Sequence, residues 1–201
     1  MSTQTAFALA AAALLALAGC REEAAAPPEP VKMSADAVGH FCQMNMLEHP
    51  GPKAQVHLDG LPGSPLFFAQ VRDAIAYRRM PEQSQAITAT YVSDMSHAPS
   101  WENPGRDNWM IAAQAHYVIG SQRVGGMGAP ELVPFSDRAD ATAFAARHGG
   151  RVVRLADIPD AAVLAPVAEG DATTLAQNGT SAKDDNAGYA ERLRALSREK
   201  E

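Results

Sequence analysis

Cysteine is scarce in this sequence, with two in 201 residues, Cys20 and Cys42. Basic clusters are missing as well. The formal charge is −6 and no stripe of Lys or Arg runs through the body, so nucleic acid is not an expected partner. The glycine-rich run Gly125–Pro130 has no Lys-Ser or Lys-Thr after it and is no phosphate loop. Residues 2–19 hold no charged side chain, yet their apolar run, Phe7–Ala18, is too short to cross a membrane as a helix.

A run of that size fits the core of a signal peptide. It ends in Leu17-Ala18-Gly19-Cys20, which resembles the lipobox of bacterial lipoproteins. The resemblance implies removal of residues 1–19, acylation of Cys20 with lipid including palmitate, and export to the periplasm. Arg21 after the lipid cysteine, in place of Asp, favours the outer membrane. Residues 20–37, with the Pro-, Ala- and Glu-rich Glu22–Pro30, read as a lipid-anchored tether. Residues 167–201 read as a flexible tail, in which Tyr189–Lys200 has the pattern of a short, marginal helix.

The body between them carries a repeat. Phe68–Tyr77 and Phe135–Phe144 share Phe, then Asp-Ala five residues on, then Ala and an aromatic residue, at an offset of 67. Each copy follows a short apolar stretch (Leu66–Phe68; Leu132–Phe135) and opens a helix. Ser136 is placed to cap the second helix, and Gly149-Gly150 to stop it. β-Prone runs flank both: Ala54–Leu58 and Ala86–Val92 in the first unit, Ala115–Ile119 and Arg151–Leu155 in the second. Alternation in the first turns Val56 and Leu58 inward and His57 outward. The expected fold is therefore α+β, two tandem ββαβ modules related by internal duplication. Their limits are 38–92 and 108–166, joined by residues 93–107, whose turn formers and Trp101 read as an ordered loop over the module interface, with a hinge as the alternative. Trp101 and Trp109 are expected to pack rather than to stack on a cofactor.

With Cys20 given to lipid, Cys42 is the spare thiol of an exported chain, where thiols are a hazard unless they have a task. Its neighbours include Met44, Met46 and His49. A thiolate with thioethers two and four residues on is a soft donor set suited to Cu(I). An extended backbone would place Cys42, Met44 and Met46 on one face; a helix would keep only Cys42 and Met46 together. The competing reading is packing, because Met fills core gaps and Cys behaves as a small hydrophobe. Met127 stands in the glycine-rich run, where a long apolar side chain either plugs a gap or is presented as a thioether ligand. The glycines on both sides allow such a bend.

These motifs, in this order, resemble the NosL family: the lipobox, Cys42-x-Met44, Glu48–Gln55, Asp94-Met95, Tyr117–Ser121 and the Met127 run to Phe135. The resemblance spans roughly Cys20 to Leu164. It implies a fold related to a domain of organomercurial lyase, and a non-enzymatic copper chaperone that carries Cu(I) to nitrous-oxide reductase in denitrification. Implied partners are that enzyme, its ABC-transporter maturation complex and the membrane. Cys42 and Met127 correspond to metal ligands, and Met44 to the methionine of a C-G-M motif whose glycine is here Gln43. Met46 stands where the family often has an aliphatic residue and ranks below Met44. For His49 a structural hydrogen bond is favoured over ligation. The alternatives are a structural lipoprotein without metal, or an enzyme using Cys42 as nucleophile, for which no motif supplies a paired base.

Overall fold

Short β-branched and aromatic runs alternate with two helices, and the layout occurs twice. The computed structural model describes residues 26–83 and 85–167. The lipobox with Cys20 and the expected helix Tyr189–Lys200 lie outside the described residues. The first module comprises β1 (Ala54–Leu58), β2 (Leu66–Phe68), α1 (Val71–Arg79) and β3 (Ile87–Ser93). The second comprises β5 (His116–Ile119), β6 (Val133–Phe135), α2 (Arg138–His148) and β7 (Arg151–Arg154). In each, the first strand is central, flanked by antiparallel second and third strands: β2-β1-β3 and β6-β5-β7. The repeat in the sequence has a packing reason. Ala74 and Ala141, the alanines after the shared Asp, are both fully buried, so each helix lies close on its sheet.

One strand was not expected. Trp109–Ile111 forms β4 and pairs with β3, extending the first sheet to four strands. A one-turn helix, α3 (Ala161–Leu164), follows the second module and docks on α1, where the Arg72 guanidinium donates to the carbonyls of Ala162 and Ala165.

The two sheets share one core. Val56, Phe68, Val71, Ile75 and Val92 of the first module pack in the same cluster as Tyr117, Ile119, Leu132 and Val153 of the second. Along β5 the period-2 rule divides the work. Tyr117 and Ile119 face that shared core, while Val118 joins Val133, Phe135, Ala141 and Phe144 in a cluster under α2.

His57 corrects the expectation that it faces water: only 2% of it is exposed. Alternation does turn it away from Val56 and Leu58, but that second face of β1 is covered. The segment Pro28–Met33 lies across it. Gln55 brackets Val31, accepting from its N–H at 2.8 Å and donating to its carbonyl at 3.0 Å. The His57 Nε2 atom is 2.8 Å from the same Gln55 oxygen, and Tyr91 donates its hydroxyl to Pro28. Burial holds the His57 pKa below its usual value, which fits a neutral ring donating from Nε2. Packed structure thus begins before residue 38.

Ser136 is likewise not the cap. Asp137 caps α2, accepting from Ala139 N–H at 2.6 Å, while the Ser136 N–H goes to Asp94 at 2.9 Å. Gly149 ends the helix at φ 76°, as expected of a glycine stop. The Asp94 carboxylate also takes Ser96 N–H at 3.0 Å and His97 Nδ1 at 2.8 Å, so it ties the end of the first module to the start of α2. Burial alone would raise its pKa; the hydrogen bonds with Ser136, His97 and Ser96 outweigh that and hold it low.

A carboxyl whose folded pKa is depressed stabilises the fold above its unfolded pKa and loses that contribution as pH falls through the folded value. Asp94→Ala, which orphans two backbone donors, is expected to cost about 1–3 kcal/mol in urea unfolding at pH 7. Asp94→Asn is expected to differ from the parent at pH 7 and to converge with it as the medium becomes strongly acidic.

Candidate metal site between the modules

The loop before β1 is closed by short-range backbone bonds. Val38 pairs with Asn45 in an antiparallel bridge, Gly39 N–H donates to Met44 O at 2.9 Å, and Gln43 N–H returns to Gly39 O at 2.8 Å. So tight a loop requires a left-handed residue. Gln43 supplies it at φ 55°, the one non-glycine with positive φ among the described residues. Its amide compensates by donating to His40 O at 2.7 Å and Gly39 O at 3.3 Å. A non-glycine therefore serves at the glycine position of the C-G-M motif. Gly39 makes the space for sulfur: a Cβ there would stand 2.5 Å from Cys42 Sγ and 3.4 Å from Met46 Sδ.

Cys42 is half-buried and lines a groove of about 260 Å³. Met127 of the second module lines the same groove, with Phe41, Phe68, Gln70 and Arg72. The structure thus brings together the two residues given most weight, one from each module. Met127 is 41% exposed, so its side chain is no core plug. Met44 is also exposed, on the same loop as Cys42 but outside the groove lining. Met46 is completely buried, in a cluster with Met33, Ala37 and Ala69. His49 makes the structural hydrogen bond: its Nδ1 lies 3.0 Å from the carbonyl of Gly126, next to Met127, and its Nε2 is buried without a partner. Among the described residues, no three His, Cys, Asp or Glu side chains gather as a metal cluster, so sulfur carries what soft-donor character the groove has.

Three buried polar residues that the sequence did not single out hold this region. Lys53, 1% exposed, donates through Nζ to the carbonyls of His49, Pro50, Gly51 and Ala69. It therefore pins the loop between Cys42 and β1. Burial pushes its pKa down to about 8, against the pull of Glu131 and Cys42. Gln70, also 1% exposed, accepts from Met127 N–H at 2.8 Å and Ala129 N–H at 3.3 Å. Glu131 accepts from the N–H groups of Arg72 and Leu132 on one oxygen, and its other oxygen has no partner. Burial pushes its pKa up to about 8. Lys53 was visible only as part of the Glu48–Gln55 run; Gln70 and Glu131 look like ordinary surface residues until the modules meet.

Trp101 of the connecting loop and Trp109 of β4 both pack, as expected. Trp101 stacks on Phe144 with Arg123 over its ring at 4.2 Å, and Trp109 stacks on Phe67.

A carboxyl with a raised folded pKa acts opposite to Asp94. Glu131 makes the fold less stable as pH rises from about 4.5 through about 8, because the unfolded chain releases the proton first. Glu131→Gln retains an acceptor oxygen and removes the titration. Relative to the parent it is expected to gain on the order of 1 kcal/mol per pH unit across that window, read by chemical unfolding at pH 5, 6 and 7. A pH-independent difference would refute this.

A thiol and a thioether line one groove on paired ββαβ modules, and the fold places the molecule among α+β proteins. The comparisons with known proteins agree with that fold and give the family. The NosL family profile matches residues 30–163, and the chain belongs to the NosL family. It is 52% identical to the copper-binding lipoprotein NosL of Achromobacter cycloclastes, over 98% of this chain and 97% of that one. It is 34% identical to the copper-binding lipoprotein NosL of Stutzerimonas stutzeri, over 72% of this chain and 75% of the other. The crystal structure of the copper chaperone NosL from Shewanella denitrificans superposes with a TM-score of 0.63 at 29% identity, covering 68% of this chain and 99% of that one.

Proposed function

We propose that this protein is a lipid-anchored periplasmic carrier of Cu(I), which delivers the ion to nitrous-oxide reductase while its copper site is assembled. The observation that carries the reading is the convergence of Cys42 and Met127 on one groove. A thiolate and a thioether match the preference of Cu(I) and disfavour hard cations. Met44, exposed on the Cys42 loop, is the third donor. Met46 ranks below it because it is fully buried, and His49 below both because its Nδ1 is engaged by Gly126. The names of the curated relatives, copper-binding lipoproteins, support both the cargo and the anchor.

The mechanism follows from donor number and openness. Two or three soft donors leave a coordination position for an incoming ligand, so the ion leaves by stepwise exchange. The thiolate keeps the ion in the monovalent state in an oxidising space, and the bound ion shields the sulfur from oxidation. A Cys42 nucleophile is the weaker reading. It needs a base within hydrogen-bond reach; among the described residues the groove lining includes Asp73 and no His, the Asp73 carboxylate pairs with Gln70, and no hydrogen bond reaches the Cys42 sulfur. Anchoring at Cys20, with Arg21 favouring outer-membrane sorting, keeps the carrier in the periplasm, the compartment it shares with the reductase and with the periplasmic side of the ABC-transporter complex that serves it.

The chain is expected to bind one Cu(I). Cys42→Ala should abolish tight binding in competition with a chromophoric chelator while far-UV circular dichroism stays unchanged. Met127→Leu should weaken it while keeping apo stability within about 1 kcal/mol, as for a volume-conserving swap. Parent-like affinity in Cys42→Ala would sink the proposal. For the anchor, mass spectrometry of membrane-extracted protein should show a diacylglyceryl group on an N-terminal Cys20, and Cys20→Ser should accumulate as precursor; residues 1–19 intact on the mature chain would exclude lipidation.

A further inference from the structure

The turn that carries Met127 is held from the opposite module. Within the turn, Gly125 N–H bonds Ala129 O and Gly128 N–H bonds Gly125 O, both at 2.9 Å. The amides of Met127 and Ala129 have a different acceptor: both donate to Oε1 of Gln70, at 2.8 and 3.3 Å. Gln70 occupies the N-cap position of α1, where a side chain ordinarily caps its own helix, and it makes no such bond. Its Nε2 instead lies 3.4 Å from both carboxylate oxygens of Asp73, which turns the oxygen toward the two amides. The approach is close. A Cβ on Gly125 would stand 2.7 Å from Gln70 Oε1, and one on Gly126 would stand 2.6 Å from His49 Cβ.

A methionine has three rotatable bonds and holds no position of its own. A thioether ligand at an exposed turn is therefore only as well placed as the backbone beneath it. We infer that Gln70 is the positioning residue of the copper site, fixing the Met127 backbone so that its thioether meets the Cys42 side of the groove. This rests on reading Met127 as a ligand. Gln70 itself has no role as a donor to the metal, and its effect passes through Met127.

That dependence gives the test. Cu(I) affinity of the full chain is measured by chelator competition for the parent, Gln70→Ala, Met127→Leu and the double variant. Gln70→Leu, closer in volume, is carried alongside in case the alanine variant unfolds. The expected result is an affinity loss of about tenfold for Gln70→Ala in the parent background and less than about twofold in the Met127→Leu background, as for two residues acting through one contact. X-ray absorption of the Cu(I)-loaded Gln70 variant should show fewer sulfur neighbours than the parent. A merely structural Gln70 would lower affinity equally in both backgrounds, which overturns the inference. Parent-like affinity in both Gln70 variants, with Met127→Leu still weakened, overturns it and leaves Met127 as a ligand. No effect of Met127→Leu removes the ligand and the inference together.

Discussion

The rest of the site depends on how closely the glycine turn of the second module approaches the first. No side chain fits at Gly126, where a Cβ would stand 3.1 Å from Pro50 O and 3.3 Å from Ala69 O. At Gly125 one would collide with the carboxylate of Glu131. This approach lets His49 and Gln70 reach the turn's backbone, and it brings Met127 to a groove whose other sulfur comes from the Cys42 loop. Gly39 plays the matching part on the first module, leaving room for the thiol.

Bringing two modules together this closely buries polar backbone on both sides, and buried polar groups must be satisfied. Lys53 answers four carbonyls of the first module with one ammonium group, and Glu131 answers two amides with one oxygen. Each charge is costly to bury, and the pKa shifts of both toward neutrality record that cost. The same logic holds on the far face of β1, where Gln55 serves Val31 as an adjoining strand would.

Much of the fold was legible because its signals are local. Ala54–Leu58 and Leu66–Phe68 form strands with the expected limits, and both repeated segments form helices. What escaped depends on contacts remote in sequence. His57 obeys the alternation, but nothing in β1 tells that Pro28–Met33 covers its face. Trp109–Ile111 is too short to announce a strand and gains one by pairing with β3. Ser136 had the right chemistry for a cap, yet Asp94, forty-two residues earlier, claims its amide. At the site, Met127 was conspicuous because a glycine turn gives no local reason for a long apolar side chain. Gln70 and Glu131 were not, since a polar residue betrays its burial only when its partner is known.

The shared core limits how the molecule can move. Tyr117, Ile119, Leu132 and Val153 are buried against residues of the first module. Parting the modules would expose such side chains to water at roughly 1.5–3 kcal/mol each, so an opened form would be populated very sparsely. The groove is therefore not a jaw. In the proposed carrier role, a ligand that exchanges at Cys42 reaches the groove lined by Phe41 and Met127 while both modules stay closed. Selectivity would then fall on the shape and reach of the incoming group rather than on a movement of the modules.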